Sequence, residues 1–499
     1  MRPQFLRMTA SASFVAIAAA TASGQAVLRT HDGHFNSDGT ESAFGFAASF
    51  LGDVDGDGVG DYAVGAFDAK PGGEAYVWSG RTGALLYTLV AEQAADEFGA
   101  DLGPVGDLDG DGHADFYVVA PLSPQDQYLS SDGRVYLVSG ATGAVLRHFD
   151  GTNLEGIRNA CGIGDVDGDL VPDVAAYSFV YGRAHAYSGA TGALLWSVQQ
   201  AVNEVFSGPL AGVGDVNGDG IPDLCVAGSG FLVQPFVGIY SGVDGTEIYR
   251  IARGASDVTT VPDVDGDGVR EIVVGSQGDP KHAGAVYVHS GASGTLLYTL
   301  NDTVPGACFG LHVADAGDVD GDGVHEIGVV SFPYAARTNF LGRFFRSDTG
   351  TLVAALPSEL HMGDELAGGY DLDGDGRGEV LITDRSDTDG STWKGRAFVY
   401  RGDDLYLFAN QAWFASGDPL VLDSRPGTPG QLASIWILGV DGSPFALRVA
   451  GGTYDGAGSF SLSATVPPGI AGIDLDLIAF GIDGSGHLRR SVVTNVEFR

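Results

Sequence analysis

Short apolar runs and acidic turns alternate down this chain with a fixed period. Tyr62-Ala-Val-Gly-Ala66 and Ile272-Val-Val-Gly-Ser276 each leave an acidic turn, and each is followed by a Val-Tyr or Val-Trp segment that ends in Ser-Gly. A last run then closes the unit. Val77-Trp-Ser-Gly-Arg-Thr-Gly-Ala-Leu-Leu-Tyr-Thr-Leu89 lines up residue for residue with the end of Val286-Tyr-Val-His-Ser-Gly-Ala-Ser-Gly-Thr-Leu-Leu-Tyr-Thr-Leu300. Runs of this length, rich in β-branched and aromatic residues and bounded by Gly and Asp, predict strands. Four strands per unit and seven units at a period near 50 residues predict the blades of a seven-bladed β-propeller, an all-β fold.

The turn that sets the period reads D-x-[DN]-G-D-x-x-x-[DE]. Its first aspartates stand at 53, 107, 165, 215, 263, 318 and 371. Oxygen donors at alternate positions, a backbone carbonyl at the seventh and a carboxylate closing the loop at the ninth suit a hard cation that takes six to eight oxygens, foremost calcium. The candidate metal positions are Asp53, Asp55, Asp57, Val59 and Asp61 in repeat one, and Asp107, Asp109, Asp111, His113 and Asp115 in repeat two. Repeat three offers Asp165, Asp167, Asp169, Val171 and Asp173, and repeat four Asp215, Asn217, Asp219, Ile221 and Asp223. Repeat five offers Asp263, Asp265, Asp267, Val269 and Glu271, and repeat six Asp318, Asp320, Asp322, Val324 and Glu326. Repeat seven offers Asp371, Asp373, Asp375, Arg377 and Glu379. An EF-hand is excluded, because its twelfth position demands Glu and here holds Val64 or Val118. Up to seven calcium ions are expected, one per blade. Position six is Gly in six loops and Leu170 in repeat three; if that position is left-handed, a β-carbon costs about 1–2 kcal/mol, which makes repeat three the weakest site.

The seventh unit stops after Val399-Tyr-Arg-Gly402 without its fourth strand. Val27-Leu-Arg-Thr-His-Asp-Gly33 matches Val145-Leu-Arg-His-Phe-Asp-Gly151, the fourth strand of repeat two. Residues 26–31 are therefore expected to complete the last blade and close the ring, which removes an exposed sheet edge. The expected organisation is a signal peptide over residues 1–24, the propeller over 25–404 and a tail domain over 405–499. Arg2 and Arg7 precede an Ala-rich apolar run that ends at Ala22-Ser-Gly24, the pattern of an export signal. Secretion or display at the cell surface follows as an expectation, and no later run reaches the roughly 20 apolar residues a span requires. The tail holds alternating runs such as Ser434-Ile-Trp-Ile-Leu438 and Asp474-Leu-Asp-Leu-Ile478 between Gly, Pro and Asp turns, and predicts a small β-sandwich.

The formal net charge is −38, and 27 of the 64 acidic residues sit in the seven loops, so the charge marks metal ligands rather than disorder. Such acidity excludes nucleic acid and anionic membrane as partners. Cys161, Cys225 and Cys308 form no spaced metal set. Their apolar settings predict three small buried side chains, and one disulfide beside a free thiol is the alternative.

Phe44-Gly45, Phe98-Gly99 and Phe309-Gly310 lie upstream of their loops, and Val64-Gly-Ala66 lies downstream of the first. In these pairs the chain resembles the FG-GAP repeats of integrin α-subunit propellers and the related VCBS repeats of exported bacterial proteins. The resemblance spans residues 26 to about 404. It implies a seven-bladed propeller with calcium loops on one face, and it carries over no ligand.

No nucleophile elbow, HExxH or Walker loop occurs, so no catalytic residue is assigned and no enzyme is expected. His113 and His325, inside loops, are expected to be solvated, and His289 to pack. The function expected is a calcium-stabilised extracellular binding or adhesion module for a protein or glycan. The alternatives are a lectin-like propeller or, more remotely, a polysaccharide- or phosphoester-active enzyme. Trp78, Tyr87, Tyr187, Trp196, Tyr240, Tyr287 and Tyr400 recur on strands, where core packing explains them better than sugar binding.

Overall fold

The computed structural model describes residues 27–498 apart from 124–131, 152–155, 200–203, 231–232, 278–282, 303–307, 332–340, 356–362, 385–394 and short connections beyond 401; past 401 only the strand backbone is described. Residues 1–24, expected to be an export signal, lie outside these residues. Seven four-stranded antiparallel sheets follow one another, each running from an inner to an outer strand. Blade one is Phe44–Gly52, Asp61–Ala66, Glu74–Trp78 and Leu85–Val90. The inner strands pack each on the next, and that of blade seven, Gly363–Tyr370, returns to that of blade one. They surround a cavity of about 840 Å³.

The second strand of each blade explains why the runs after the loops are continuously apolar. Asp61–Ala66, Asp115–Ala120, Asp173–Ser178, Glu326–Ser331 and Glu379–Asp384 are buried at every residue, because both sheet faces meet a neighbouring blade. Outer strands such as Leu85–Val90, which have one wet face, instead mix exposed with half-buried positions. The cores accordingly lie between blades. Val54, Val77 and Leu51 of blade one interlock with Phe98, Phe116 and Tyr136 of blade two, and an equivalent cluster fills each of the other six junctions. Each fully buried Val, Leu, Ile or Phe contributes about 1.5–3 kcal/mol.

The ring closes as expected. Val27–Asp32 pairs antiparallel with Arg396–Tyr400 and becomes the outer strand of blade seven. His31 stacks on Trp78 with ring centroids 4.3 Å apart and shares a 2.7 Å hydrogen bond with the Tyr62 hydroxyl, while Arg396 Nε donates to Asp32 at 2.8 Å.

The recurring aromatics are inter-blade ties. Tyr87 donates its hydroxyl to the carbonyl of Gly140 in blade two at 2.7 Å, and Trp196 donates its indole N–H to that of Gly242 in blade four at 2.6 Å. Tyr249 reaches Gly291 and Tyr298 reaches Ser347 in the same way. Trp78, Tyr187, Tyr240 and Tyr400 are buried. The three cysteines are unpaired; Cys225 and Cys308 are buried, and Cys161 lines the central cavity half-buried. The tail's strands sort into two sheets. One joins Tyr406–Ala409, Pro419–Arg425 and Phe460–Thr465, and the other is built on Leu432–Val440 and Ile473–Ile482.

Candidate metal centres

Every loop connects an inner strand to the second strand, so all seven occupy the same face of the ring. The loop folds around its first aspartate. In repeat one Asp53 Oδ1 accepts from the Gly56 and Asp57 N–H groups at 2.7 and 3.0 Å, and Oδ2 accepts from Gly58 N–H at 2.8 Å. Asp107, Asp165, Asp215, Asp318 and Asp371 repeat this arrangement, and Asp263 keeps its bonds to Gly266 and Gly268. Asp57 Oδ1 accepts from Val59 N–H at 2.9 Å, and Asp111, Asp169, Asp219, Asp267, Asp322 and Asp375 serve position seven alike.

The ninth residue works from behind. Asp61 is wholly buried; its Oδ2 accepts from Val54 and Asp55 N–H at 2.8 and 3.1 Å, and its Oδ1 from Gly80 N–H at 2.7 Å. It thus staples the loop to the Ser-Gly turn that ends the third strand. Gly140, Gly189, Gly242 and Gly291 donate likewise to Asp115, Asp173, Asp223 and Glu271. Burial pushes these carboxyls up, Asp61 to about 6, and it raises Asp115, Asp173, Asp223 and Glu271 as well. For Glu326 burial, reinforced by Asp320, carries the value to about 9. A nearby cation would reverse that cost.

The donor set fits a hard cation. Asp53, Asp55 and Asp57 each present a carboxylate oxygen within 4.8 Å of the others. So do Asp107, Asp109 and Asp115; Asp165, Asp167 and Asp173; Asp263, Asp265 and Glu271; and Asp318, Asp320 and Glu326. All-oxygen carboxylate clusters of this size suit calcium and exclude soft-metal sites built on Cys or His.

Position six is left-handed in every loop. Gly58, Gly112, Gly220, Gly268, Gly323 and Gly376 have φ between +85° and +89°, and Leu170 is held at φ +70° with 89% of its surface exposed. Leu170 N–H still donates to Asp165 Oδ2 at 2.8 Å, so the turn is kept despite the β-carbon.

Two loop histidines correct the expectation of solvated rings. His113 is only half-exposed; it lies against Gly56 of loop one, with Nδ1 3.0 Å from the Val54 carbonyl oxygen. His325 Nδ1 lies 2.8 Å from Asp315 Oδ1, an acid that also receives Arg270 at 3.1 Å. For His113 the cause is the tight stacking of adjacent loops, which sets position seven of loop two on loop one; His325 instead folds back onto Asp315, on the inner strand of its own blade. Ala114 N–H donates to the Asp53 carbonyl and Gly378 N–H to that of Asp318, at 2.9 and 2.8 Å. His289 packs as expected, buried with Nδ1 2.9 Å from the Gly294 carbonyl oxygen.

A close approach explains the Phe-Gly and Val-Gly-Ala pairs. A β-carbon on Gly65 would stand 2.0 Å from the Gly99 carbonyl oxygen, and one on Gly275 would stand 2.6 Å from that of Gly310. The two motifs touch across a blade junction, with Phe98 and Phe309 buried beside them. The FG-GAP repeat family model matches residues 98–138 and 254–289. The chain carries FG-GAP repeats. The second FG-GAP match lacks a Phe-Gly pair and rests on its loop and on Ile272-Val-Val-Gly275. The seven blades place their acidic loops as a ring on one face, and no helix among the described residues is long and apolar enough to cross a membrane.

Proposed function

We propose that this protein is an extracellular binding module whose propeller is held together by calcium. The observation that carries the reading is the loop geometry: a first aspartate held in place by backbone N–H groups, with further carboxylate oxygens gathered within 4.8 Å in successive blades. That is a site built before its ion arrives, on the part of the fold that joins inner to second strands. Calcium in this reading is structural, and no catalytic role is assigned. Export to a calcium-rich medium, suggested by the pattern of residues 1–24, would supply the ions. The ligand, a protein or glycan, would meet the opposite face, where connections of varied length such as Phe179–Gly182 join second to third strands. The acidic surface makes nucleic acid an unsuitable partner. Burial of Trp78, Tyr187, Tyr240 and Tyr400 takes these strand aromatics out of reach of a sugar, while Phe179 and Tyr181 stay exposed on the connection face, so both a protein and a glycan fit as ligands there.

The test is binding of the labelled mature chain to producing cells, to their surface proteins and to a glycan array, with calcium and with chelator. Saturable, calcium-dependent binding to surface protein is expected. Binding confined to glycans would transfer the function to the lectin reading, and no binding on any surface would refute both.

A further inference from the structure

Loops six and seven differ from the other five in the residue that ends the third strand. Strand register aligns Ser79, Ser139, Ser188, Ser241 and Ser290, all buried, with Arg346 in blade six and Arg401 in blade seven. In blade five the serine hydroxyl donates to a position-five ligand, Ser290 Oγ to Asp267 Oδ2 at 3.1 Å. In blade six a guanidinium takes that place. Arg346 forms an ion pair with Asp322 Oδ2, is anchored by Asp348 at 2.9 and 2.7 Å, and keeps only 21% of its side chain exposed. Asp322 Oδ1 accepts from Val324 N–H just as Asp267 Oδ1 accepts from Val269 N–H, so what sets loop six apart is that the partner of Oδ2 carries a full positive charge. Arg401 Nε lies 3.2 Å from Asp373 Oδ2, a position-three ligand of loop seven.

Loop six is altered further. Ser347 stands where the stapling glycine stands elsewhere, and its N–H goes to the His325 carbonyl at 3.0 Å, leaving Glu326 Oε1 buried without a partner. The side chain of Arg377, at position seven of loop seven, lies over Gly321 of loop six, its Nε 2.7 Å from where a β-carbon would stand. Two guanidiniums beside one loop equal the charge of one calcium ion. Arg81 in blade one also reaches Asp57, at 3.2 Å, but from two residues further on and with 54% of its side chain exposed, so solvent weakens it, and the Gly80 staple remains intact.

Resting on the calcium reading above, we propose that loops six and seven carry their positive charge as arginine and bind calcium at least tenfold more weakly than loops one to five. The factor is of the order expected for losing one charged ligand, about tenfold or more. Repeat three remains the weakest of the five serine-flanked loops. The experiment is calcium titration of the full mature chain after chelator stripping, by calorimetry and by metal analysis at limiting calcium. Five tighter sites are expected in the native chain. Restoring the common Ser-Gly pair with Arg346→Ser and Ser347→Gly together should add a sixth, Arg401→Ser should add one independently, and Ser79→Arg should remove one. Seven equivalent sites in the native chain, or a folded double variant with no added site, overturns the proposal while leaving the calcium reading intact; no calcium bound at all overturns both. If the double variant does not fold, Ser79→Arg decides, and an unchanged site count there overturns the proposal.

Discussion

Leu170→Gly isolates one backbone angle. Leu170 sits at φ +70° with its side chain almost wholly in solvent, so its removal costs no packing. Relief of the left-handed β-carbon is worth about 1–2 kcal/mol. The freer unfolded glycine takes back about 0.4–1 kcal/mol. A net gain of about 0.5–1 kcal/mol remains, a rise in melting temperature of about 1–3 °C for a chain of this size. Calcium affinity at loop three rises only by the part of the strain that the metal-free loop sheds; full relaxation without metal would give about 5–30-fold. Gly220→Leu is the mirror experiment, because nothing lies within 4 Å of a β-carbon there and its cost is conformational alone. It should weaken loop four and lower the melting temperature. Melting by circular dichroism with and without calcium, together with site occupancy by anomalous scattering at limiting calcium, reads both effects. A Leu170→Gly variant with unchanged melting temperature and occupancy, beside a harmless Gly220→Leu, would refute the argument that position six must be left-handed.

Excess EDTA should lower the melting temperature sharply: a site held at ten times its dissociation constant contributes about 1.4 kcal/mol, and an unchanged melting curve would remove calcium from the folding scheme. Removing residues 25–31 should cause aggregation or a loss of cooperative unfolding, since it strips blade seven of its outer strand and uncovers Trp78; a soluble variant of equal stability would mean closure by another route. Tyr87→Phe, which deletes only the tie to Gly140, should cost about 0.5–1.5 kcal/mol, measured as the shift in urea midpoint. Burial raises Asp101 to about 7 and Asp61 to about 6, so without calcium the folded state binds more protons than the unfolded one between about pH 4 and 7 and these groups add stability as pH falls through that range. His31, lowered by burial to about 4, opposes them with stability lost as pH falls from about 6.5. The melting temperature of the EDTA-treated chain at pH 5 against pH 7.5 should thus fall less in Asp101 than in Asp101→Asn backgrounds, and equal pH profiles for the two would dismiss the buried carboxyl.

The ring of blades and the acidic loops were legible because both are written in local chemistry. Alternate aspartates with a glycine at position six have one compact conformation, and the match of Val27-Leu-Arg29 to Val145-Leu-Arg147 identified the closing strand across the whole chain. The angle at Leu170 followed from its neighbours in register. What was missed depends on contacts between blades, which no single repeat displays. Tyr87 and Trp196 read as core residues, yet their polar atoms tie one blade to the next. His113 read as solvated and instead rests on loop one. Arg346 and Arg401 were visible as departures from Ser, but only strand register shows that a guanidinium replaces a hydroxyl beside the acids.

The closing strand imposes an order on synthesis. Asp32 leaves the ribosome early and meets Arg396 only after 364 further residues have followed it. Joining ends so far apart costs about 5 kcal/mol of chain entropy, which the intermediate blades must repay by assembling first. Until then Val27–Asp32 is a β-strand without a sheet, and Trp78 is uncovered. A nascent chain halted anywhere before residue 396 is therefore an open arc, edged at one end by blade one. A completed chain that has not yet closed can instead lend its Val27–Asp32 to the Arg396–Tyr400 strand of a second copy, so slow ring closure should trap this protein as strand-exchanged pairs.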